Sequence, residues 1–404
     1  MAKRVLLVTQ YFYPENFKGN DIAFEFSQRG YKVEVLTGIP NYPEGRYTTG
    51  YGVFSRRIET INGVKVFRVF QTPRGKGFLG LSLNYCSFVL SSVLWIMFFF
   101  GFKRRYDAIL FQQLSPATTC IPAVFLSKWR SIPLYTWVLD IWPDSVTSTI
   151  GQLGKKIEPT LNRLVNWMYR SSKKLLVSSK KMVDLINRGT DFSEKIVYFP
   201  NWSEDLMEMP KEAIPSLPKG YRIMMAGNIA DGLGIDSLIA LLEEMKNVKE
   251  VIFIFVGGGN LQFQMAEVCK QKGLSNVIFT GKQPYNKMPA YYAEADAMLL
   301  TLKPTVLPHL DATVPARLQS YMAGGKPVLA MIGAGASDLI SEADCGYAVP
   351  AGDYKSLAHY IKTYVLRNKC EFALKGKNGR HYYESHFKKM DCISTLEKIM
   401  FRLS

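Results

Sequence analysis

ADAMLLTLKPTVLPHLDATVPARLQSYMAGGKPVLA, residues 295–330, carries the pattern of a strand, a helix and a second strand. An apolar run ends at Leu302, a loop follows with Lys303, His309 and Asp311, and Pro315 then opens a helical segment that closes at Gly324 and Gly325. Proline suits the start of a helix, where its missing N–H costs nothing, and glycine suits the position just past the end. A second apolar run, KPVLAMI, comes straight after. Strand, helix and strand in such close succession predict two parallel neighbours in one sheet, joined by a helical crossover.

The same alternation extends outward in both directions. YRIMMAG, VIFIFVG and NVIFTG precede the segment and YAVP follows it, each apolar run ending near glycine or a polar loop. Upstream of the polar, proline-containing stretch NWSEDLMEMPKEAIPSLPKG (201–220), a first series runs VLLVT, YKVEVLT, VKVFRVF, DAILFQQ, PLYTWVLD, KKLLVSS and KIVYF. A chain of 404 residues is too long for one ordinary core. The expected class is therefore α/β, with two doubly wound Rossmann-like domains facing across a cleft. Residues 1–200 form the first, 201–220 a linker and 221–375 the second, while 376–404 form helices that could return to the first domain. Ligands of such sheets lie outside the carboxyl ends of the strands.

Charge is distributed unevenly. Residues 1–200 hold 27 Lys and Arg against 13 Asp and Glu, whereas the remainder holds 23 against 21, so nearly all of the net +16 lies in the first half. Such a face suits phosphate-rich material, either a membrane or a nucleotide-linked substrate. Nucleic acid fits poorly, because the cations are scattered and no recognition helix or zinc finger accompanies them. The six cysteines are far apart and form no C-x-x-C pair, which argues for reduced thiols in a cytoplasmic protein without a zinc site. The opening MAKRVLLVTQ lacks the apolar core of a signal peptide and reads as the first strand.

Several residues fall where chemistry is expected. Asp140 ends the run PLYTWVLD and is placed for the ligand edge, with capping of the following turn as the alternative; Asp144, before a helical run, reads as a cap. Arg317 lies in the first turn of the helix after Pro315, where a cation opposes the positive helix end unless an anion binds there. GNIADGLG (227–234) and GGGN (257–260) admit either phosphate or a tight strand-to-helix turn. Gly19 and Asn20 open the first helix, where a ligand could approach the backbone closely. His309 has no second histidine at a metal-ligand spacing and reads as a loop residue or acceptor contact. There is no G-x-S-x-G, P-loop or H-E-x-x-H motif.

Taken together, LLVTQYFYPE with Gly19 and Asn20, RGYKVEVLTGIPNYPEG, INGVKVFRV, LDIWPDS, IVYFPNW, AGNIADGLG and VPARLQSYMAGGKPVLA with CGYAVPAGD resemble the retaining glycosyltransferases of family 4, which have the GT-B fold. The likeness covers nearly the whole chain, and PNYPEG, DIWPDS, PNW, GNI and Gln319 look most like the N-acetylfucosamine-type transferases of O-antigen and capsule assembly. It implies transfer of a sugar, such as an N-acetylated 6-deoxyhexosamine, from a UDP-sugar to a polyprenyl-diphosphate-linked saccharide, with retention and without a metal or other cofactor. Asp140 becomes the catalytic candidate; Gly19, Asn20, Asn228, Lys303, Arg317, Gln319 and Ser320 the donor-binding set; and Asn41, Tyr42, His309 and Asp311 the acceptor or loop set. The sequence departs from the family where a paired Glu is customary, since Ala312 and Ser320 stand there, and where phosphate-binding Arg and Lys are usual, since Asn228 and Leu233 stand there. A nucleotide-sugar epimerase of the same fold and a non-catalytic membrane-associated scaffold remain the alternatives.

One segment belongs to no sheet. No charge interrupts Gly77 to Phe102, a length of about 39 Å as a helix and enough to cross a bilayer. Crossing would separate the strands before Lys76 from DAILFQQ, which belongs to the same sheet. Arg68, Arg74 and Lys76 on one flank and Lys103, Arg104 and Arg105 on the other show no positive-inside bias. The expectation is a helix lying in the interface on the inner face of the cytoplasmic membrane, against anionic headgroups and beside a lipid-linked acceptor.

Overall fold

The computed structural model describes residues 2–75, 77–100, 105–147 and 151–401. It divides into two compact units: the chain up to Ser178 with Met182–Phe199 and the segment from Thr395, and Ser179–Lys181 with Pro200–Ser394.

In the first unit β1 (Arg4–Val8), β2 (Lys32–Gly38), β3 (Ile58–Ile61), β4 (Val64–Val69), β5 (Ala108–Gln113), β6 (Leu134–Val138), β7 (Lys174–Val177) and β8 (Ile196–Tyr198) form one sheet in the order β3-β4-β2-β1-β5-β6-β7-β8. Chain order reverses at β1, so the ligand edge is the fan of loops after β1, β2, β4, β5 and β6. Every pair is parallel except β3 with β4. That hairpin turns at Asn62 and Gly63, both at positive φ, as a tight hairpin requires. An antiparallel edge strand was not anticipated, although Asn-Gly between two apolar runs is its usual signal.

After α1 (Lys18–Gln28), which follows β1, the apolar segment forms α2 (Gly77–Trp95), continued by a wider turn, Ile96–Phe100. Its buried line is Asn84, Phe88, Ser92, Ile96 and Phe100, each four residues from the last, facing the sheet. Leu79, Leu83, Leu90, Leu94, Met97 and Phe98 face outward and are exposed. Amphipathicity is thus inverted: the polar residues point in. Asn84 donates to the carbonyl of Thr72 and accepts from Gln10 at 2.8 Å, and the Ser87 hydroxyl accepts from the amide of Thr72 at 2.9 Å. β4 and β5, on either side of α2 in the chain, lie in the same sheet.

In the second unit β9 (Tyr221–Ala226), β10 (Val251–Val256), β11 (Val277–Gly281), β12 (Ala297–Thr301), β13 (Val328–Ile332) and β14 (Gly346–Pro350) form a wholly parallel sheet, ordered β11-β10-β9-β12-β13-β14. Its switch point lies between β9 and β12. The 201–220 stretch packs on this unit: Trp202 and Leu206 are buried, and Asp205 takes both arms of Arg380 at 2.5 and 2.8 Å. Within the first unit, the end of the last helix, Lys389–Phe401, is held by Glu397 accepting from Arg29 and from the Tyr31 hydroxyl, each at 2.6 Å.

Candidate functional site

At the switch point of the second unit, the helix Ala316–Ala323 begins directly beside the end of β9. Tyr321, fully buried, accepts from the amide of Ala226 at 3.2 Å and so fixes this helix to the strand. Arg317 in the first turn reaches back, and its Nη2 donates to the carbonyl of Asn228. Asn228, Ala230, Gly232, Leu302, Pro315 and Arg317 enclose a cavity of about 390 Å³. The free N–H groups and partial positive charge of the helix end point at this space, beside a guanidinium with no carboxylate partner among the described residues. That chemistry selects an anion.

The two glycine loops meet each other. The amide of Gly227 donates to Val256 O and that of Ile229 to Gly258 O, each at 2.8 Å. A Cβ on Gly257 would stand 1.9 Å from Gly227 O, and one on Gly259 would stand 2.1 Å from Ile229 O. These glycines are therefore required by the chain's own close packing.

Other members of the expected donor set, and His309 and Asp311 of the acceptor or loop set, scatter. Lys303 is exposed and paired with Asp231 at 2.8 Å, along the rim of a larger cavity of about 930 Å³ beyond the ends of β12, β13 and β14. Asp311 borders that cavity and caps the helix Ala334–Glu342, accepting from the amide of Ala334 at 3.1 Å. His309 is buried in the turn Pro308–Asp311. Gln319 is buried too, its amide nitrogen donating to Pro315 O and Ala316 O at 3.0 and 3.3 Å. The Ser320 hydroxyl lies 3.0 Å from that of Ser203. Only Asn228 and Arg317 of the set line the smaller cavity.

The ligand edge of the first unit is built around a buried acid that sequence reasoning passed over. Glu15, in the loop after β1, accepts through Oε1 from the amides of Asn41 and Tyr42 at 2.8 and 2.7 Å. Burial pushes its pKa up to about 7, against the pull of these amides and of Arg68. Asn20 braces the same loop, donating to Glu15 O at 2.7 Å and accepting from the amide of Tyr13 at 3.0 Å. Gly19 backs onto Gln112, whose Oε1 would lie 2.5 Å from an added Cβ. Asn41 is fully buried, donating to Ile39 O at 2.8 Å and accepting from the amide of Arg74 at 2.9 Å. Of this group Tyr42 alone is exposed, its ring packed on Tyr11 and Phe17 with centroids 5.3 and 5.5 Å away.

Asp140 follows β6, half-buried, with its carbonyl accepting from Gln113 Nε2 at 2.9 Å. Tyr169, fully buried behind it, has its phenol pushed well up by burial, with Gln113 and Asp140 facing it. Asp144 opens the short helix Asp144–Thr147 and pairs with Arg188 at 3.2 Å. Among the described residues no group of three or more His, Cys, Asp or Glu is arranged to hold a metal ion.

Comparison with known proteins agrees with this architecture. Residues 210–380 match the family described as "Glycosyl transferases group 1". The chain is 25% identical over 318 residues to the "Putative colanic acid biosynthesis glycosyl transferase WcaI" of Escherichia coli, covering 74% of this chain and 75% of that one. A sucrose-phosphate synthase from Thermosynechococcus elongatus superposes with a TM-score of 0.73 at 14% identity, over 98% of each chain. Anabaena HepE in complex with UDP and glucose does so with a TM-score of 0.66 at 17% identity, over 99% of each. The fold is GT-B, as the resemblance implied.

Proposed function

We propose that the chain is a retaining glycosyltransferase that moves a sugar, of the N-acetylated 6-deoxyhexosamine class, from a UDP-sugar to a polyprenyl-diphosphate-linked saccharide during cell-surface polysaccharide assembly. The group 1 match of the second unit and the relative in colanic acid synthesis support the reaction class. HepE, of the same fold, binds UDP. The observation that carries the reading is Arg317 at the start of the helix Ala316–Ala323, facing a cavity at the switch point. As the bond from the anomeric carbon to the diphosphate breaks, negative charge grows on the leaving oxygen. Arg317 and the helix N–H groups are positioned before the reaction and need not reorganise. They supply the positive charge in a metal-independent departure, and Asp140 is the carboxylate that the first unit offers at its strand ends.

The protein works, on this reading, at the inner face of the cytoplasmic membrane. Support comes from the outward leucines of α2 and from exposed aromatics beside it, Phe99 and Trp129, with Arg105, Lys128 and Arg130 near in sequence. Lys76, Lys103 and Arg104, expected to flank the helix, lie outside the described residues.

Replacement of Arg317 by Ala is expected to weaken UDP binding and sugar transfer together by at least tenfold, with an unchanged melting temperature. Transfer is read with labelled UDP-sugars and a membrane-extracted lipid acceptor, by label entering the lipid phase. Activity within about threefold of the parent, a change under roughly 0.7 kcal/mol, would remove Arg317 from the leaving-group site.

A further inference from the structure

Arg74 is a half-buried guanidinium. It lies between β4 and α2, where Nη1 donates to the Tyr11 hydroxyl at 2.8 Å and the group sits 5.4 Å from the centre of the Tyr42 ring. The phenol of Tyr85, on α2, faces it as well. Among the described residues no carboxylate stands within ion-pair distance of Arg74, whereas the likewise half-buried Arg29 and Arg380 and the fully buried Arg68 each have one. Burial pushes the Tyr11 and Tyr85 phenols up, so both are neutral at physiological pH. The acid facing Tyr11 is Glu15, whose Oε1 is committed to two backbone amides. A desolvated cation held only by neutral groups is costly unless an anion completes the site.

Position narrows the choice of anion. α2 begins three residues after Arg74, and Leu79 and Leu83 are the first residues of its exposed apolar face. An anion at Arg74 would sit near the start of that exposed apolar face. Guanidinium matches phosphate oxygens in a planar, forked geometry, and the N–H groups spent on Tyr11 and Tyr85 leave others of its five for the ligand. We propose that Arg74, walled by Tyr11, Tyr42 and Tyr85, binds the phosphate of a lipid-carried acceptor whose hydrocarbon runs along the outer face of α2. The identity of the ligand as an acceptor rests on the glycosyltransferase reading; the phosphate site itself does not.

The test uses the full chain with UDP at saturation, so that the Arg317 end is occupied, and titrates farnesyl diphosphate, inorganic pyrophosphate and farnesol by calorimetry. Farnesyl diphosphate is expected to bind more tightly than either of the others. Arg74→Gln is expected to weaken it at least tenfold, with UDP affinity within twofold of the parent and partial recovery in Arg74→Lys. Should Arg74→Gln fold poorly, Tyr42→Leu, which removes the ring beside the guanidinium at an exposed position, is expected to lose threefold or more. Equal binding of pyrophosphate and farnesyl diphosphate would overturn the lipid-carried ligand, and unchanged affinity in the variants would overturn the site. Because binding needs no transfer, a chain that binds farnesyl diphosphate through Arg74 yet transfers no sugar would keep the site and lose the enzyme assignment. Transfer that is indifferent to Arg74 would do the reverse.

Discussion

Replacing Leu83, Leu90 and Leu94 together by Gln tests the proposed membrane face where its energy is concentrated. These side chains are 62%, 65% and 45% exposed, so in water they leave uncovered about as much apolar surface as one and three-quarter leucines. Full burial of a leucine is worth about 2 kcal/mol. Complete immersion of the three would then contribute about 3 kcal/mol, or roughly a hundredfold in partitioning at 1.4 kcal/mol per decade. An interfacial helix immerses only part of its circumference, and half that energy still leaves about tenfold. Glutamine keeps helix propensity, and none of the three is a buried core residue, so melting should change little. The assay is flotation with vesicles of phosphatidylethanolamine and phosphatidylglycerol, at low and high salt. The triple variant is expected to lose ten- to a hundredfold in bound fraction. Binding within threefold of the parent would show that this face does not meet the bilayer. Retention of the unmodified protein through alkaline carbonate washing would equally refute a peripheral attachment.

Two further outcomes concern stability. Glu15 has its pKa raised to about 7 in the folded protein, so the native state prefers its neutral form; the associated stability is present below about pH 4.5 and lost as pH rises through 7. The parent should therefore lose, relative to Glu15→Gln, on the order of 2–3 kcal/mol between pH 4.5 and 8, and parallel denaturation profiles of the two proteins would show that Glu15 ionises without penalty. Gly259→Ala places a methyl group 2.1 Å from Ile229 O at a positive φ, and is expected to cost about 3 kcal/mol or more in urea unfolding; a loss under 1 kcal/mol would mean that the loop is free to serve a ligand.

Patterning carried most of the fold. Runs such as VLLVT and VIFIFVG are apolar throughout because parallel strands are buried on both faces, so the sheets could be read before any tertiary contact was known. The helix after Pro315 and its Arg317 were legible for a related reason, since a cation in a first turn conflicts with the local field and the conflict is visible in the string. Burial that depends on folding was not legible. Gln319 and Ser320 lie on that helix yet turn to its own carbonyls and to Ser203, because a helix shows only part of its circumference to the ligand edge. Asn20 and Asn41 brace loops through hydrogen bonds to backbone carbonyls. Nothing in the string marks Glu15, and Arg74 stands out there only as a cation flanking the apolar segment; only the approach of loops distant in sequence desolvates them.

The helix α2 gives this difficulty its clearest form. Read by composition, its scattered Asn and Ser residues form a thin polar face that would turn to water. In the fold that face turns inward, because the chain leaving β4 carries unpaired backbone groups at Phe70 and Thr72 that the polar side chains satisfy. Gln10 extends the network by bonding both Asn84 and Gln71. Burying such groups is costly unless they find partners; Asn84, Ser87 and Ser91 find theirs at the strand ends around the ligand edge, whereas the buried Ser92 hydroxyl has none among the described residues. The apolar face is thereby left outward, and the element that carries it is hydrogen-bonded to the loops that carry Tyr11 and Arg74, the latter bonded in turn to Asn41. On the proposed function, contact with the bilayer and placement of the acceptor phosphate are then properties of one rigid network within the first unit, which ties the leucine and arginine experiments to the same piece of structure.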